Sequence, residues 1–311
     1  MSRVPMRDGY GKALLELCRL HDDVVVLDAD VAKSTRTDWV RQKYPEKYVN
    51  VGISEQDLVG TAAGMSLTGF VPFISTYGVF LTGRSWGQIR NTVCYNNLNV
   101  KLGGAHAGIS VGPDGATHQA LEDVALMRVI PNMTVIVPCD WYETYKATMA
   151  VYEKNGPSYI RFGRNPAPVV TTEDTPFILE KAAVFKEGQD VTIFANGMMV
   201  YQALQAEKAL KQENIRAEVI NVHTVKPLDT DTILCSAAKT KAVVVCEEHQ
   251  CIGGLGSAVC EVLAQHCCVP VELVGIQDTF GESGLPDDLM EAYGLGVSSI
   301  VQAVRNVLKR K

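Results

Sequence analysis

No apolar run in this 311-residue chain approaches the ~18–20 residues that cross a bilayer, so no membrane span is expected. Positive charge is scarce as well. Lys and Arg number 29 against 35 Asp and Glu, a formal net charge of −6. Nowhere do the basic residues gather into a patch, which excludes nucleic acid as a main partner, since phosphate neutralisation needs such patches. The N-terminal stretch MSRVPMRDGYGKALLELC shows neither the apolar segment nor the cleavage site of a secretory signal. Nine cysteines are present, an odd number, and none has CxxC spacing. Paired-thiol redox chemistry and a thiolate zinc site therefore have no framework, and reduced, mostly buried thiols in a cytoplasmic protein are the expectation. Cys246, His249 and Cys251 lie near one another but make a poor ligand set, so no metal is expected to be held by this chain alone.

Hydrophobic residues at 47% and charged residues at 21% indicate a globular protein, and the length suits two domains. Short apolar runs alternate with helical periods. VVVLDAD (24–30), VPFISTY (71–77), NVKLGG (99–104), TVIVPCD (134–140) and SYIRFG (158–163) read as buried strands. Helical segments are expected at 9–20, 55–69, 82–96, 120–129 and 141–154. Such alternation implies a mostly parallel sheet with helices on both faces. The proline-rich RNPAPVVTTEDTPF (164–177) reads as a linker. The alternation then restarts with the strand VTIFANG (191–197), a helix from Met198 to Asn214, and the strands AEVINVHTV, KAVVVCEE and VELVGIQD. Two consecutive α/β domains follow: residues 1–165, a linker at 166–180, and residues 181–311.

In open parallel sheets ligands bind beyond the C-terminal strand ends. Four stretches of the first domain fall there. In NVGISEQ (50–56), Glu55 opens a helix. Position alone accounts for it as a first-turn acid favoured by the helix dipole. The helix it opens is rich in small residues, which suits close approach to another backbone. STYGVF (75–80) sets Tyr77 and Phe80 just past a strand, either as packing or as a platform for a flat heterocycle. HAGISVGPDGATHQ (106–119) combines His106, Asp114 and His118 with Gly108, Gly112 and Gly115 and shows no apolar periodicity. Glycines let backbone approach a ligand, and three polar side chains in one such loop favour a site over a solvated turn. Arg161 and Arg164 in SYIRFGRNP could each bind an anion or be simple surface charges. GGLGSAV (253–259) lacks GxGxxG spacing and reads as a tight turn into a helix rather than a phosphate loop.

In order, NVGISEQDLVGTAAGMSLTGFVPF, STYGVF, HAGISVGPDGATHQALED with IPNMTVIVPCD, and EEHQCIGGLGSAV resemble the thiamine-diphosphate enzymes of the transketolase family. The resemblance covers their pyrimidine-binding and C-terminal domains and spans nearly the whole chain. It implies that Glu55 hydrogen-bonds the aminopyrimidine ring of the cofactor and that Tyr77 and Phe80 stack on it. It implies further that His106, Asp114 and His118 contact sugar hydroxyls, with Glu55, His106 and His118 as the catalytic groups. Arg7, Ser34 and Arg161 or Arg164 fall near positions that bind the sugar phosphate. The GDG-type metal motif of the family's pyrophosphate domain is absent. The resemblance is thus to the second half of a split transketolase. It implies a separate N-terminal partner that holds the diphosphate and Mg²⁺, self-association as a dimer, and an α2β2 assembly acting on phosphosugars.

Two relatives and one reading of a different class compete with this one. Beta chains of 2-oxo acid dehydrogenases do not share VGPDGATHQ. Deoxyxylulose-phosphate synthases carry a similar loop with arginine where His106 stands. A non-catalytic assembly partner would have no need to keep Glu55, Tyr77, Phe80, His106, Asp114 and His118 together. Two-carbon transfer from a phosphoketose is the expected reaction.

Overall fold

The computed structural model describes residues 2–311. In chain order its strands are β1 (Arg3–Pro5), β2 (Val24–Asp28), β3 (Tyr48–Asn50), β4 (Val71–Tyr77), β5 (Lys101–Ala105), β6 (Thr134–Ile136) and β7 (Ser158–Arg161). They continue with β8 (Pro166–Pro168), β9 (Ala183–Lys186), β10 (Val191–Ala195), β11 (Ala217–Asn221), β12 (Thr224–Lys226), β13 (Val243–Gln250) and β14 (Val271–Ile276). A seven-stranded sheet has the order β12-β6-β7-β5-β4-β2-β3, and a five-stranded sheet the order β14-β13-β10-β11-β9. In both sheets pairing is parallel except at β12 and β9, the antiparallel edge strands. The expected α/β architecture of two mostly parallel, helix-flanked sheets is what forms.

The strands are buried on both faces because their sequences are apolar throughout. Every residue of VVVLD in β2 and of VTIFA in β10 is buried, as a parallel sheet under two helical layers requires. The helix Met6–Leu20 buries Met6, Tyr10, Ala13, Leu14 and Leu17, a helical stripe, with Asp8 in its first turn and Arg19 in its last. It crosses the helix Trp141–Glu153 so closely that a side chain at Gly9 would collide with the carbonyl of Trp141. That second helix is capped by Asp140, whose Oδ1 accepts the N–H of Glu143 at 3.0 Å. The same carboxylate accepts the N–H groups of Val170 and Thr171 at 2.8 and 2.6 Å, and so fixes the connecting segment. The proline-rich stretch is therefore not slack. Its β8 pairs with β1 in a two-stranded ribbon.

Two expectations differ from the structure. The helix foreseen at 82–96 is broken into Gly78–Arg84, Trp86–Gln88 and a π-helical turn at Ile89–Cys94. Ser85 lies at the break, its hydroxyl turned back onto the Leu81 carbonyl at 2.5 Å. The run AEVINVHTV, foreseen as one strand, is two. β11 stays in its own sheet, while β12 leaves it and pairs antiparallel with β6 at the edge of the first domain's sheet. One apolar cluster consequently runs through both domains, from Leu27 and Leu58 by way of Val135 and Val137 to Phe194, Ile220 and Val222. No helix among the described residues is long and apolar enough to cross a membrane.

Candidate active site

β7, β5, β4, β2 and β3 are consecutive neighbours, so the loops leaving their C-terminal ends share one rim. β2 ends in Asp28, fully buried. Its Oδ1 accepts the N–H of Val31 at 2.6 Å, and its Oδ2 accepts the hydroxyls of Thr35 and Thr37 at 3.0 and 2.9 Å. Burial raises its pKa, and these three donors offset only part of that rise. This clamp shapes the turn that carries Ser34. From the adjoining helix, Arg7 donates through Nη1 to the Ser34 carbonyl at 3.0 Å. Tyr77, at the end of β4, donates its hydroxyl to Ser34 Oγ at 3.1 Å.

His106 follows β5. Its φ is +54°, a left-handed conformation uncommon for a side-chain-bearing residue and frequent at functional sites. The imidazole lies 4.3 Å from the Tyr77 ring, centroid to centroid, and its Nε2 is 3.5 Å from Arg7 Nη1. Burial, then the charges of Arg7, Arg164, His118 and Arg36, push its pKa down to about 3. The ring is therefore neutral at pH 7. Arg7 can only donate, so Nε2 is the acceptor and the proton sits on Nδ1, which is buried with no partner. Arg7 Nε is likewise buried and unpartnered. Orphaned buried donors are rare in folded proteins, and these two, on neighbouring side chains, make this corner of the rim a candidate ligand site.

The aromatic groups continue outward. Phe80 stacks near Tyr77 at 5.9 Å, and His118 stands edge-on to Phe80 at 5.2 Å. Arg84 covers the Phe80 ring at 4.2 Å and donates to Glu55 Oε2 at 3.2 Å. Glu55 is the first residue of the helix Glu55–Leu67 and is only 6% exposed. No donor among the described residues reaches its Oε1. Asp114 pairs with Arg164 at 2.9 Å, both half-buried at the loop mouth. The rim thus joins a half-exposed aromatic platform, a buried carboxylate, two imidazoles and a cationic end.

Residues 2–169 match the transketolase pyrimidine-binding domain, and residues 180–300 match the transketolase C-terminal domain. The chain belongs to the transketolase family. It is 42% identical over 98% of its length to a putative transketolase C-terminal section of Methanocaldococcus jannaschii, of which it covers 97%. It is 43% identical to the 6-deoxy-6-sulfo-D-fructose transketolase subunit SqwH of a Clostridium species, with 98% of this chain and 95% of that one aligned. An apulose-4-phosphate transketolase chain of Phocaeicola vulgatus is 34% identical, over 99% and 98% of the two chains. Among solved structures, a split-gene transketolase in an inactive beta4 tetramer superposes with a TM-score of 0.93 at 48% identity, over 98% and 99% of the two chains.

The sequence left open whether Arg161 or Arg164 faces an anion, and the two stand in different places. Arg161 is buried behind the rim, its Nε on both oxygens of Asp123 at 3.1 and 2.9 Å and its Nη2 on the carbonyls of Ala120 and Glu248. Buried and so engaged, it is not placed to meet an anion in the pocket. Arg164 points to the rim and Arg161 does not. Sequence reasoning also passed over Arg84 and Asp28. Arg84 stands one helical turn past Phe80, so a four-residue spacing check could have found it. An acid closing an otherwise apolar strand was the visible signal for Asp28. GGLGSAV forms the expected turn. The Glu247 carboxylate accepts the N–H groups of Leu255 and Gly256, both at 2.8 Å, and so fills the helix N-terminus where a phosphate would sit. His249 is satisfied by the Gln250 carbonyl and the Ala125 N–H, and no group of potential metal ligands occurs among the described residues.

Proposed function

We propose that this chain is the C-terminal subunit of a thiamine-diphosphate-dependent split transketolase that moves a two-carbon ketol unit from a phosphoketose to an aldose. Residues 1–165 would serve as its pyrimidine-binding domain and 181–311 as its C-terminal domain. The observation that carries the reading is the convergence of Glu55, Tyr77, Phe80, Arg7, Ser34, His106, Asp114, His118 and Arg164 on one rim. The free Oε1 of Glu55 and the half-exposed faces of Tyr77 and Phe80 fit the aminopyrimidine of thiamine diphosphate. Arg7 and Arg164 are assigned to the donor sugar, and Mg²⁺ and the diphosphate to a separate pyrophosphate-domain subunit.

When bound, thiamine diphosphate supplies the electron sink that breaking a C–C bond beside a carbonyl requires. Glu55 meets the pyrimidine ring through the carboxylate oxygen that Arg84 leaves free. Arg7, Ser34 and Arg164 face the anionic end of the donor sugar. His106, kept neutral by burial and by the cations around it, hydrogen-bonds substrate oxygen as an uncharged imidazole. His118, the more open of the two imidazoles, faces the same substrate oxygens. Asp114, opposite Arg164, reads an adjacent hydroxyl, and a site built to bond a hydroxyl rejects analogues lacking it.

On the helix Glu55–Leu67, Gly60 and Gly64 have open space where side chains would stand, and Ile53 and Leu67 are exposed beside them. This surface supports self-association within an α2β2 assembly. The test is calorimetric titration of thiamine diphosphate with Mg²⁺ into the chain mixed with its pyrophosphate-domain partner, and into each chain alone. Binding by the mixture only, followed by turnover of xylulose 5-phosphate, apulose 4-phosphate or 6-deoxy-6-sulfofructose, is the expected result. Binding by this chain alone would overturn the split-site reading.

A further inference from the structure

The loop His106–Gln119 belongs to the first domain, yet much of what holds it comes from the second. Glu248, in β13 of the five-stranded sheet, is 4% exposed and accepts the backbone N–H of Ser110 on Oε1 at 2.7 Å. The loop lies directly on this carboxylate. A side chain at Gly108, where φ is +87°, would collide with both carboxylate oxygens. The far side of the loop rests on the segment that follows β14. Gln119 donates to the Glu282 carbonyl at 2.9 Å, and a side chain at Gly115 would meet Ser283 Oγ at 2.6 Å.

Arg161 joins the two supports. Its Nη2 bridges the Ala120 carbonyl, just past the loop, and the Glu248 carbonyl, at 3.1 and 2.8 Å. Asp123 orients the guanidinium and accepts the Tyr159 hydroxyl at 2.6 Å. Glu248 makes no hydrogen bond with Arg7, Tyr77, His106, Asp114 or His118. The Glu248 side-chain oxygen, packed under Gly108 and Ser110, gives the loop one directional anchor.

We infer that the C-terminal domain is the template of the substrate loop, with Glu248 as the positioning residue for His106, Asp114 and His118 and Arg161 as the strut that holds it. Only the kinetic consequence rests on the transketolase reading.

The test has two parts. On the chain alone, hydrogen–deuterium exchange by mass spectrometry compares wild type with Glu248→Ala and Glu248→Gln. Amides of residues 107–119 should exchange at least roughly tenfold faster in the alanine variant, as loss of a buried hydrogen bond implies. The rest of the chain should be unchanged, and the glutamine variant, which keeps an acceptor, should stay close to wild type. In the assembled enzyme, Glu248→Ala should raise the donor KM roughly ten- to a hundredfold, with thiamine diphosphate affinity held and the glutamine variant restored. Glu248→Asp, which keeps the charge but draws the oxygen back from Ser110, should behave like alanine and serves if the alanine variant does not fold. Unaltered exchange in 107–119, faster exchange everywhere, or a parallel loss of cofactor affinity would each overturn the clamp. An inactive wild-type assembly would sink the functional reading, while the exchange result would still decide the clamp.

Discussion

Lys101 offers a test of the fold that needs neither partner nor cofactor. It opens β5, the strand that ends just before His106, and its side chain is fully buried. Its ammonium donates to the carbonyls of Lys154 and Gly156 at 2.5 and 2.9 Å, and no carboxylate pairs with it among the described residues. Burial, and then the nearby Lys154, bring its pKa down from 10.5 to about 7. Below pH 7 both folded and unfolded chains carry the proton, and the folded state bears the whole penalty, roughly 5 kcal/mol at 1.36 kcal/mol per unit. As pH rises through 7 the folded state releases the proton while the unfolded state keeps it up to about 10.5. The unfolded state then binds more protons, so stability rises with pH across that window. From pH 7 to 9 the gain is about 2 kcal/mol. Lys101→Met removes the charge but leaves two carbonyls without a donor, at about 1–3 kcal/mol each. The two proteins should therefore be similar in stability near pH 7. Urea unfolding of both at pH 6, 7, 8 and 9 reads the outcome. Wild type should gain on the methionine variant by about 2 kcal/mol from pH 7 to 9. Parallel pH profiles would refute a titrating buried ammonium.

Other consequences are equally direct. Glu55→Ala in the assembled enzyme should lower turnover at least roughly a hundredfold and leave assembly intact, because Arg84, its partner, is half exposed and keeps its place over Phe80; near-normal turnover would remove Glu55 from the chemistry. Asp114→Ala frees Arg164, so discrimination between donors differing at one hydroxyl should fall at least roughly tenfold in kcat/KM ratio, with thiamine diphosphate binding held. Loss of cofactor binding in that variant would mean the loop is misassigned. Gly104→Ala would drive a methyl group into the Tyr159 hydroxyl and should cost about 1–3 kcal/mol in urea unfolding, and an unchanged midpoint would show that β5 and β7 can part without cost.

The strands were legible because each is short, apolar and locally self-evident; VPFISTY spans β4 end to end. The candidate site was legible wherever a loop follows such a strand and carries residues that a core would not use, as His106, Asp114 and His118 do. The broken helix at 78–94 was not. Its apolar positions continue a helical period, and the break sits at Ser85, whose hydroxyl back-bonds to the turn before it. β12 was hidden for a different reason. Thr224–Lys226 has the composition of a strand, but which sheet takes it depends on a free edge at β6, roughly ninety residues earlier.

Arg161 and Arg164 show the division most plainly. They are three residues apart and chemically the same, and local pattern gives no means of choosing between them. Asp123, 38 residues from Arg161, takes one into the interior, and Asp114, 50 residues from Arg164, holds the other at the rim. Glu248 reaches Ser110 across 138 residues and two domains. Periodicity and strand-end chemistry act over a few residues, so the chain order alone carries the architecture, the family and the loops of the candidate site. A long charged side chain finds its partner in whatever the fold brings within about 3 Å, so which arginine stays at the rim, the seating of the loop 106–119 on the second domain and the shared edge strand belong to the folded molecule.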